Sequence, residues 1–365
     1  MCLRKCEVAD MNRLKNMKRT TKANFATYLG VILAFVIVTI LVNNGMLKRS
    51  HMGLLVPICC YIVMAVSLNL TVGILGELSL GHAGFMSVGA FAGAVTASAM
   101  QDSVPSSALR LTVAVLVGAV LAAIVGVLIG IPVLRLNGDY LAIVTLAFGE
   151  IIKSIVNNLY IGMDANGLHA SFLNNTIVLG EGGRMILSGP MGVPGIKKTA
   201  TFAAGFILIL IALFVIFNLV NSRAGRAIMA LRDNRIAAES VGINVTKYKL
   251  MAFVISAAIA GAGGALYGQA QNAIIATKFD FNTSILILVF VVLGGMGNML
   301  GSILAAALLT VLPELLRSLN DYRMLIYAIV LILMMLFNSA PAMIQWREQM
   351  TEKLRKTFGE ERKEG

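Results

Sequence analysis

The chain has 365 residues, of which 58% are hydrophobic and 13% are charged, and its formal net charge is +12 at pH 7. Soluble domains have about half their residues apolar and about a quarter charged, so this composition excludes a soluble globular protein. A helix needs about 20 apolar residues to cross a bilayer, and several runs reach that length. Because these runs are continuous rather than alternating, they favour helices over a closed barrel. The sequence therefore predicts an all-α polytopic membrane protein.

A basic leader begins the chain, and a series of apolar segments follows it. The leader, residues 1–24, contains seven Lys and Arg residues, and such residues collect on the cytoplasmic side of a membrane. The first predicted spans lie at 26–46, 53–73, 80–100, 110–134, 140–160, 201–221 and 250–276.

The last apolar region, residues 284–340, must contain more than one span. Residues 284–316 as a single helix would be about 50 Å long, too long for one crossing. The glycine cluster GGMGNMLG at 294–301 lies in the middle and predicts a break. Dividing the region there gives spans at 284–296, 300–316 and 324–340. The total is about ten transmembrane helices, within a range of eight to eleven, with some of them broken or re-entrant.

The distribution of Lys and Arg places both termini in the cytoplasm. Six basic residues lie in the 222–249 segment and six in the charged tail, 341–365, whereas the longer 161–200 segment has three. The transmembrane domain is thus predicted at 25–340, with a cytoplasmic loop at 222–249 and an external loop at 161–200.

Ionisable residues interrupt the apolar run between Leu54 and Met100. The stretch GELSLGHAGFMSVGAFAGA contains Glu77, Ser79 and His82 among several glycines. Ionisable groups inside a membrane usually face a protein interior or a polar path, and broken helices often form such paths in transporters. The pattern predicts a broken helix that lines a translocation path. Two alternatives stay open: the small residues serve tight helix packing, and Glu77 is solvated near the cytoplasmic end of its span.

A second charged pair lies in the fifth predicted span. Glu150 and Lys153 are three residues apart, which puts them on one face of a helix where they can form an ion pair. The pattern fits a structural intrahelical pair and a gating element equally.

The basic 222–249 segment predicts a short amphipathic helix on the cytoplasmic face. Apolar residues recur at helical spacing from Ala224 to Ala238, and Gly242 is a suitable stop signal. Such a helix either rests on lipid headgroups or docks into another protein.

Several stretches resemble the permease subunits of branched-chain amino-acid ABC importers, the LivM-type family. Ala237-Ala238-x-x-x-Gly242 is similar to the E-A-A-x-x-x-G loop by which importer permeases engage their ATPases, although Ile236 stands where that motif has Glu. The stretches LSLGHAGFMSVGA, NGDYLAIVTLAFGEIIKSIVNN and VVLGGMGNMLGSILAAAL also resemble this family, and the resemblance extends from residue 67 to about residue 340.

The resemblance implies a transport subunit in a bacterial cytoplasmic (inner) membrane. The implied partners are a second related permease (LivH-like), two ATPase subunits (LivG/LivF-like), a periplasmic or surface substrate-binding protein and the lipid bilayer, with no nucleic acid. The chain has no G-x-x-x-x-G-K-[ST] motif, so it is expected to bind no cofactor, with ATP and Mg²⁺ held by the partner ATPases. The residues expected to couple to the ATPases are Arg232, Asn234, Ala237, Ala238, Glu239 and Gly242. The residues expected along the translocation path are Glu77, Ser79, His82 and Glu150.

Other functions stay open at this point. Importers of urea and short-chain amides have similar permeases, so the cargo is branched-chain amino acids or one of these. An ion-coupled secondary transporter would also account for Glu77, His82 and Glu150, but it leaves the 222–249 segment without a role. An intramembrane enzyme is disfavoured because the sequence has neither H-E-x-x-H nor G-x-S-x-G.

Overall fold

The structure is a computed structural model. It describes residues 24–339, apart from 26, 43, 45–51, 102–103, 137, 165–166, 174–176, 178–182 and 317–321. The predicted cytoplasmic leader, except for residue 24, and the charged tail lie outside the described residues.

Helices account for most of the described chain. In chain order they are α1 (Thr27–Val42), α2 (Leu55–Asn69), α3 (His82–Ala99), α4 (Ser107–Val133), α5 (Asp139–Asn157), α6 (Phe202–Asn221), α7 (Arg223–Asp233), α8 (Arg235–Ser240), α9 (Val245–Ala270), α10 (Phe281–Gly294), α11 (Met299–Leu315) and α12 (Arg323–Ser339). A π-helical segment, Leu70–Leu75, continues α2.

Each predicted apolar segment coincides with a helix, although the helices are not equally suited to crossing a membrane. Among the described residues, six are long and apolar enough: Leu55–Leu75, Ser107–Val133, Tyr140–Asn157, Phe202–Asn221, Val245–Ala270 and Ala276–Gly294. Shorter apolar helices lie at Thr27–Val42 and Met299–Leu315. The chain is therefore a multi-pass helical protein, and the total of ten spans with cytoplasmic termini stays a prediction.

The centre of the protein is formed by α9 together with α3 and α4, which lie in close backbone contact. A Cβ atom at Gly89 of α3 would overlap the carbonyl oxygen of Gly261 in α9, and one at Gly264 would overlap that of Met86. A Cβ at Gly261 would lie 2.6 Å from the carbonyl oxygen of Gly118 in α4. The small residues of the three helices therefore permit a distance between backbones that larger side chains would prevent.

The 161–200 segment contains strands that the sequence analysis did not predict. Strand β1 (Leu159–Asp164) pairs antiparallel with β2 (Gly167–Phe172) and with β3 (Arg184–Ser188), in the order β2-β1-β3. The later part of the segment is held to the end of α9, because Val193 and Ile274 exchange backbone hydrogen bonds. The segment is thus a folded addition rather than an extended loop.

The described chain divides into two compact units. The first ends at Ala307 and contains α1 to α10, the sheet and the first half of α11, and the second begins at Leu308 and contains the rest of α11 and α12. The candidate site lies entirely in the first unit.

Replacement of Gly261 by Val should destabilise the protein, because the new side chain overlaps α4. Overpacking of this kind typically costs about 1–3 kcal/mol, so the thermal unfolding midpoint of the detergent-solubilised chain should fall. Gly30→Val in α1 is a matched control, since no atom lies within 4 Å of a Cβ at that position. Equal midpoints for the two variants would contradict the close packing described here.

Candidate functional site

The apolar run from Leu54 to Met100 is interrupted at residues 76–81, as its glycines predicted. The π-helical segment ends at Gly76, which has φ of +80°, and α3 begins at His82. The positive φ favours glycine, and a Cβ there would lie 2.8 Å from Cγ of Arg232. Residues 76–81 are called the break below.

Glu77, in the break, forms an ion pair with Lys249 near the beginning of α9. Their side chains are only 13% and 5% exposed, respectively. Glu77 is therefore not a solvated residue at the end of a span. The pair neutralises two charges that would be costly if buried separately, and it fixes the break to α9.

His82 is buried at the first position of α3, where its Nε2 lies 2.7 Å from Oγ of Ser67. The Ser67 hydroxyl donates its single proton to the carbonyl of Met64 at 2.9 Å. Nε2 of His82 must then be the donor to Ser67, which places the ring proton on Nε2. His82 thus connects α3 to α2 through this hydrogen bond.

Hydroxyl groups from neighbouring helices accept hydrogen bonds from the backbone around the break. The amide of Leu80 donates to Oγ1 of Thr145 in α5 at 3.0 Å, and the amide of Ala83 donates to Oγ of Ser284 in α10 at 3.1 Å. Oγ of Ser79 is buried and has no hydrogen-bond partner within the described part of the chain. Ser79, which is predicted to line the path, therefore has unused hydrogen-bonding capacity.

Glu150 forms the predicted pair with Lys153, with 2.8 Å between Oε2 and Nζ. It also lines a small groove together with Leu80 of the break and with Asp280 and Ser284 at the beginning of α10. The structure thus brings Glu150 next to one end of the break, whereas Glu77 lies against α9.

The 222–249 segment forms two short helices, so the prediction of one continuous helix is wrong. Asn234 has an extended backbone, and its side chain accepts a hydrogen bond from the amide of Ala237, which caps the beginning of α8. Asparagine at this position ends one helix and starts another because its side chain replaces a missing backbone partner. The bend at Asn234 turns α8 away from α7.

The residues predicted to engage the ATPases differ in their surroundings. Ala238 is buried in a small cluster with Leu231 and Val245, so its role in the structure is packing. Ala237 and Gly242 are exposed, and Gly242 has φ of +84°. Glu239 is exposed and pairs with Arg235 at 3.4 Å.

Arg232 joins the cytoplasmic-loop helices to the helix that carries the break. Its guanidinium donates a hydrogen bond of 2.6 Å to the carbonyl of Gly73 in the π-helical segment. Gly73 lies in the last turn of the π-helical segment, where carbonyls lack partners within the helix and are available to a side-chain donor. The contact therefore ties the end of α7 to the segment that precedes Glu77.

One further residue beside this contact was missed by the sequence analysis. Asn69 in α2 accepts a hydrogen bond from the amide of Gly297 at 2.8 Å and donates one to Ser302 at 2.9 Å. Gly297 belongs to the predicted glycine break between α10 and α11. An amide side chain within an apolar span was the available signal, because such groups need internal partners in a membrane.

Comparisons with known proteins agree with these features. The family described as the branched-chain amino acid transport system permease component matches residues 50–336. The high-affinity branched-chain amino acid transport permease LivM of Salmonella typhimurium is 36% identical over 328 residues, which cover 87% of this chain and 75% of that protein. LivM of Escherichia coli is 35% identical, with the same coverage.

This chain belongs to that permease family. The LivM-type resemblance drawn from its motifs is confirmed, and the permease is a multi-pass protein of the inner membrane. The nucleoside ABC transporter permease NupC of Lactococcus lactis is more distant, at 25% identity over 198 residues, or 53% of this chain and 59% of that protein. No solved structure matches the chain.

Removing one charge of the Glu77–Lys249 pair should lower the stability of the permease more than removing both charges. Lys249→Met leaves a nearly buried carboxylate without its partner, and such changes cost about 3–5 kcal/mol. The double variant Glu77→Gln/Lys249→Met should recover part of that loss in thermal unfolding of the purified permease. A double variant less stable than Lys249→Met alone would mean that the two side chains act separately.

Proposed function

We propose that this permease is the translocation subunit of an ATP-driven importer of branched-chain amino acids. Two partner ATPases hydrolyse ATP, a second related permease completes the path, and a substrate-binding protein delivers leucine, isoleucine or valine from outside. The observation that carries the proposal is the hydrogen bond from Arg232 to the carbonyl of Gly73. This hydrogen bond connects the segment that resembles an ATPase-coupling loop to the π-helical segment that directly precedes the break.

The surface of α8 supports a docking role for this segment. Ile236 is 79% exposed and Val241 is 77% exposed, although both are apolar. In the proposal, these two side chains, at the beginning of α8 and just after its end, provide apolar contact for a partner. The positions that match the coupling motif, Ala237 and Gly242, are exposed beside them.

The break supports the translocation role. In this proposal, Ser79 and Glu150 line the path, whereas Glu77 and His82 hold the broken segment in position through Lys249 and Ser67. Movement of α7 pulls on the π-helical segment through Arg232 and changes the access of the path. ATP drives this alternation from outside the chain, so no chemistry on the permease itself is required.

Cargo and energy source are tested together in proteoliposomes that contain the full complex and its binding protein. Uptake of radiolabelled leucine, urea and adenosine is measured with and without internal ATP. ATP-dependent leucine uptake that isoleucine and valine inhibit is the expected result. Uptake that ignores ATP and collapses with the proton gradient would instead establish an ion-coupled transporter, and preferred uptake of urea or adenosine would overturn the cargo.

Val241→Asp should abolish ATP-dependent uptake without unfolding the permease. The side chain is exposed, so the substitution leaves the core intact while placing a charge in the proposed apolar docking surface. Copurification of the ATPases with the permease measures the loss directly. Val241→Leu, which keeps the surface apolar, is the matched control and should retain uptake. Normal copurification with Val241→Asp would place the docking surface elsewhere.

Arg232→Gln should uncouple ATP hydrolysis from transport. A charge-assisted hydrogen bond is worth about 1.5–3 kcal/mol, so leucine uptake per ATP should fall about tenfold while ATP hydrolysis continues. Arg235→Gln in the neighbouring helix is the control, because Arg235 pairs with Glu239 of its own helix rather than with the break. A parallel loss of ATP hydrolysis and uptake in Arg232→Gln would show that Arg232 serves docking rather than transmission.

A further inference from the structure

A small recess lies where α3 and α9 end and α4 begins, at the opposite end of α3 from the break. It is lined by Ala97, Ser98, Gln101, Arg110, Ile196, Lys197, Thr199 and Gln269. Its volume is about 10 Å³, which is enough for one water-sized group. Under the predicted topology, the recess opens toward the outside of the cell.

Arg110 is the unusual member of this lining. It is only 9% exposed, and its Nε is buried without a hydrogen-bond partner in the part of the chain that the structure describes. Among the residues that the structure describes, no Asp or Glu lines the recess. A buried Nε–H without an acceptor is destabilising, and an anion in the recess would supply that acceptor.

Three other polar groups of the recess have partners. The side chain of Gln269 is buried, donates to the carbonyl of Gly93 at 3.2 Å and accepts from the hydroxyl of Thr199 at 2.9 Å. The carbonyl of Ser98 accepts a hydrogen bond from Arg184 at 2.6 Å. The charged groups of the described lining are Arg110, inside the recess, and Lys197, which is exposed at its edge.

We propose that this recess binds the carboxylate of the amino-acid cargo as it enters the permease, an inference that rests on the proposed function. Arg110 and Lys197 receive the carboxylate, since a guanidinium matches its geometry. Buried Ala97 and Ile196 supply apolar contact for an aliphatic side chain. Because the described lining contains no acidic residue, the proposed site recognises the carboxylate and not the ammonium group.

Thermal unfolding of the full chain in nanodiscs, without its partners, measures the site directly. Leucine and 4-methyl-2-oxopentanoate both carry the carboxylate and should raise the unfolding midpoint. Leucinamide, which lacks it, should not. The 2-oxo acid tests the carboxylate alone, because it has no ammonium group.

Substitutions distinguish binding in the recess from a general effect of charge on stability. Arg110→Met should remove the response to leucine and also raise the midpoint of the ligand-free chain, because it removes a buried charge without a partner. Lys197→Gln should weaken the apparent affinity for leucine about tenfold. Lys198→Gln is the matched control: Lys198 is an exposed neighbour outside the recess, and its variant should behave as wild type.

Several results would overturn the proposal. These are equal stabilisation by leucinamide or by sodium chloride, no response of the wild-type chain to leucine, an unchanged response in Arg110→Met, and equal effects of Lys197→Gln and Lys198→Gln. A further outcome would also overturn the proposal: the wild-type chain does not respond to leucine, and Lys197→Gln loses association with the binding protein. The recess would then bind a carboxylate of the binding protein instead of the cargo. This assay uses no ATP, so its failure is distinguishable from failure of the uptake assay.

Discussion

Backbone groups that leave a helix inside a membrane protein must find partners within the protein, and this requirement organises the centre of the permease. At the break, α5 supplies Thr145, α10 supplies Ser284 and α7 supplies Arg232, each to a different backbone group near residues 73–83. The amide of Glu77 donates to the carbonyl of Thr71. Helices that are distant in sequence are therefore held together because one segment between them is not helical.

The same requirement explains why the break is rigid rather than a loose loop. Its single carboxylate is neutralised by Lys249, and the histidine that follows it is bonded to Ser67. Both partners lie on helices of the core. An opening of the break must exchange these bonds for others, which favours two discrete arrangements over a continuous range.

The sequence was sufficient for features that depend on neighbouring residues. Run length located the helices, glycines located the breaks at 76–81 and 295–298, and a spacing of three predicted the Glu150–Lys153 pair. Contacts such as those of Asn69 with Gly297 or of Glu77 with Lys249 join residues far apart in the chain, and only the packing of helices decides them. The sheet was missed because its strands are short and lie within a polar segment. Asn234 was a readable signal, since asparagine is a preferred N-cap.

Helix α9 is one uninterrupted element of 26 residues, about 39 Å long. Lys249 near one end holds the break, while Gln269 at the other reaches the segment that closes the recess around Arg110. The helix contains no proline that would kink it. In the proposed mechanism, a tilt of the whole helix would move both of its ends together, so the recess around Arg110 would shift in the same step as the break.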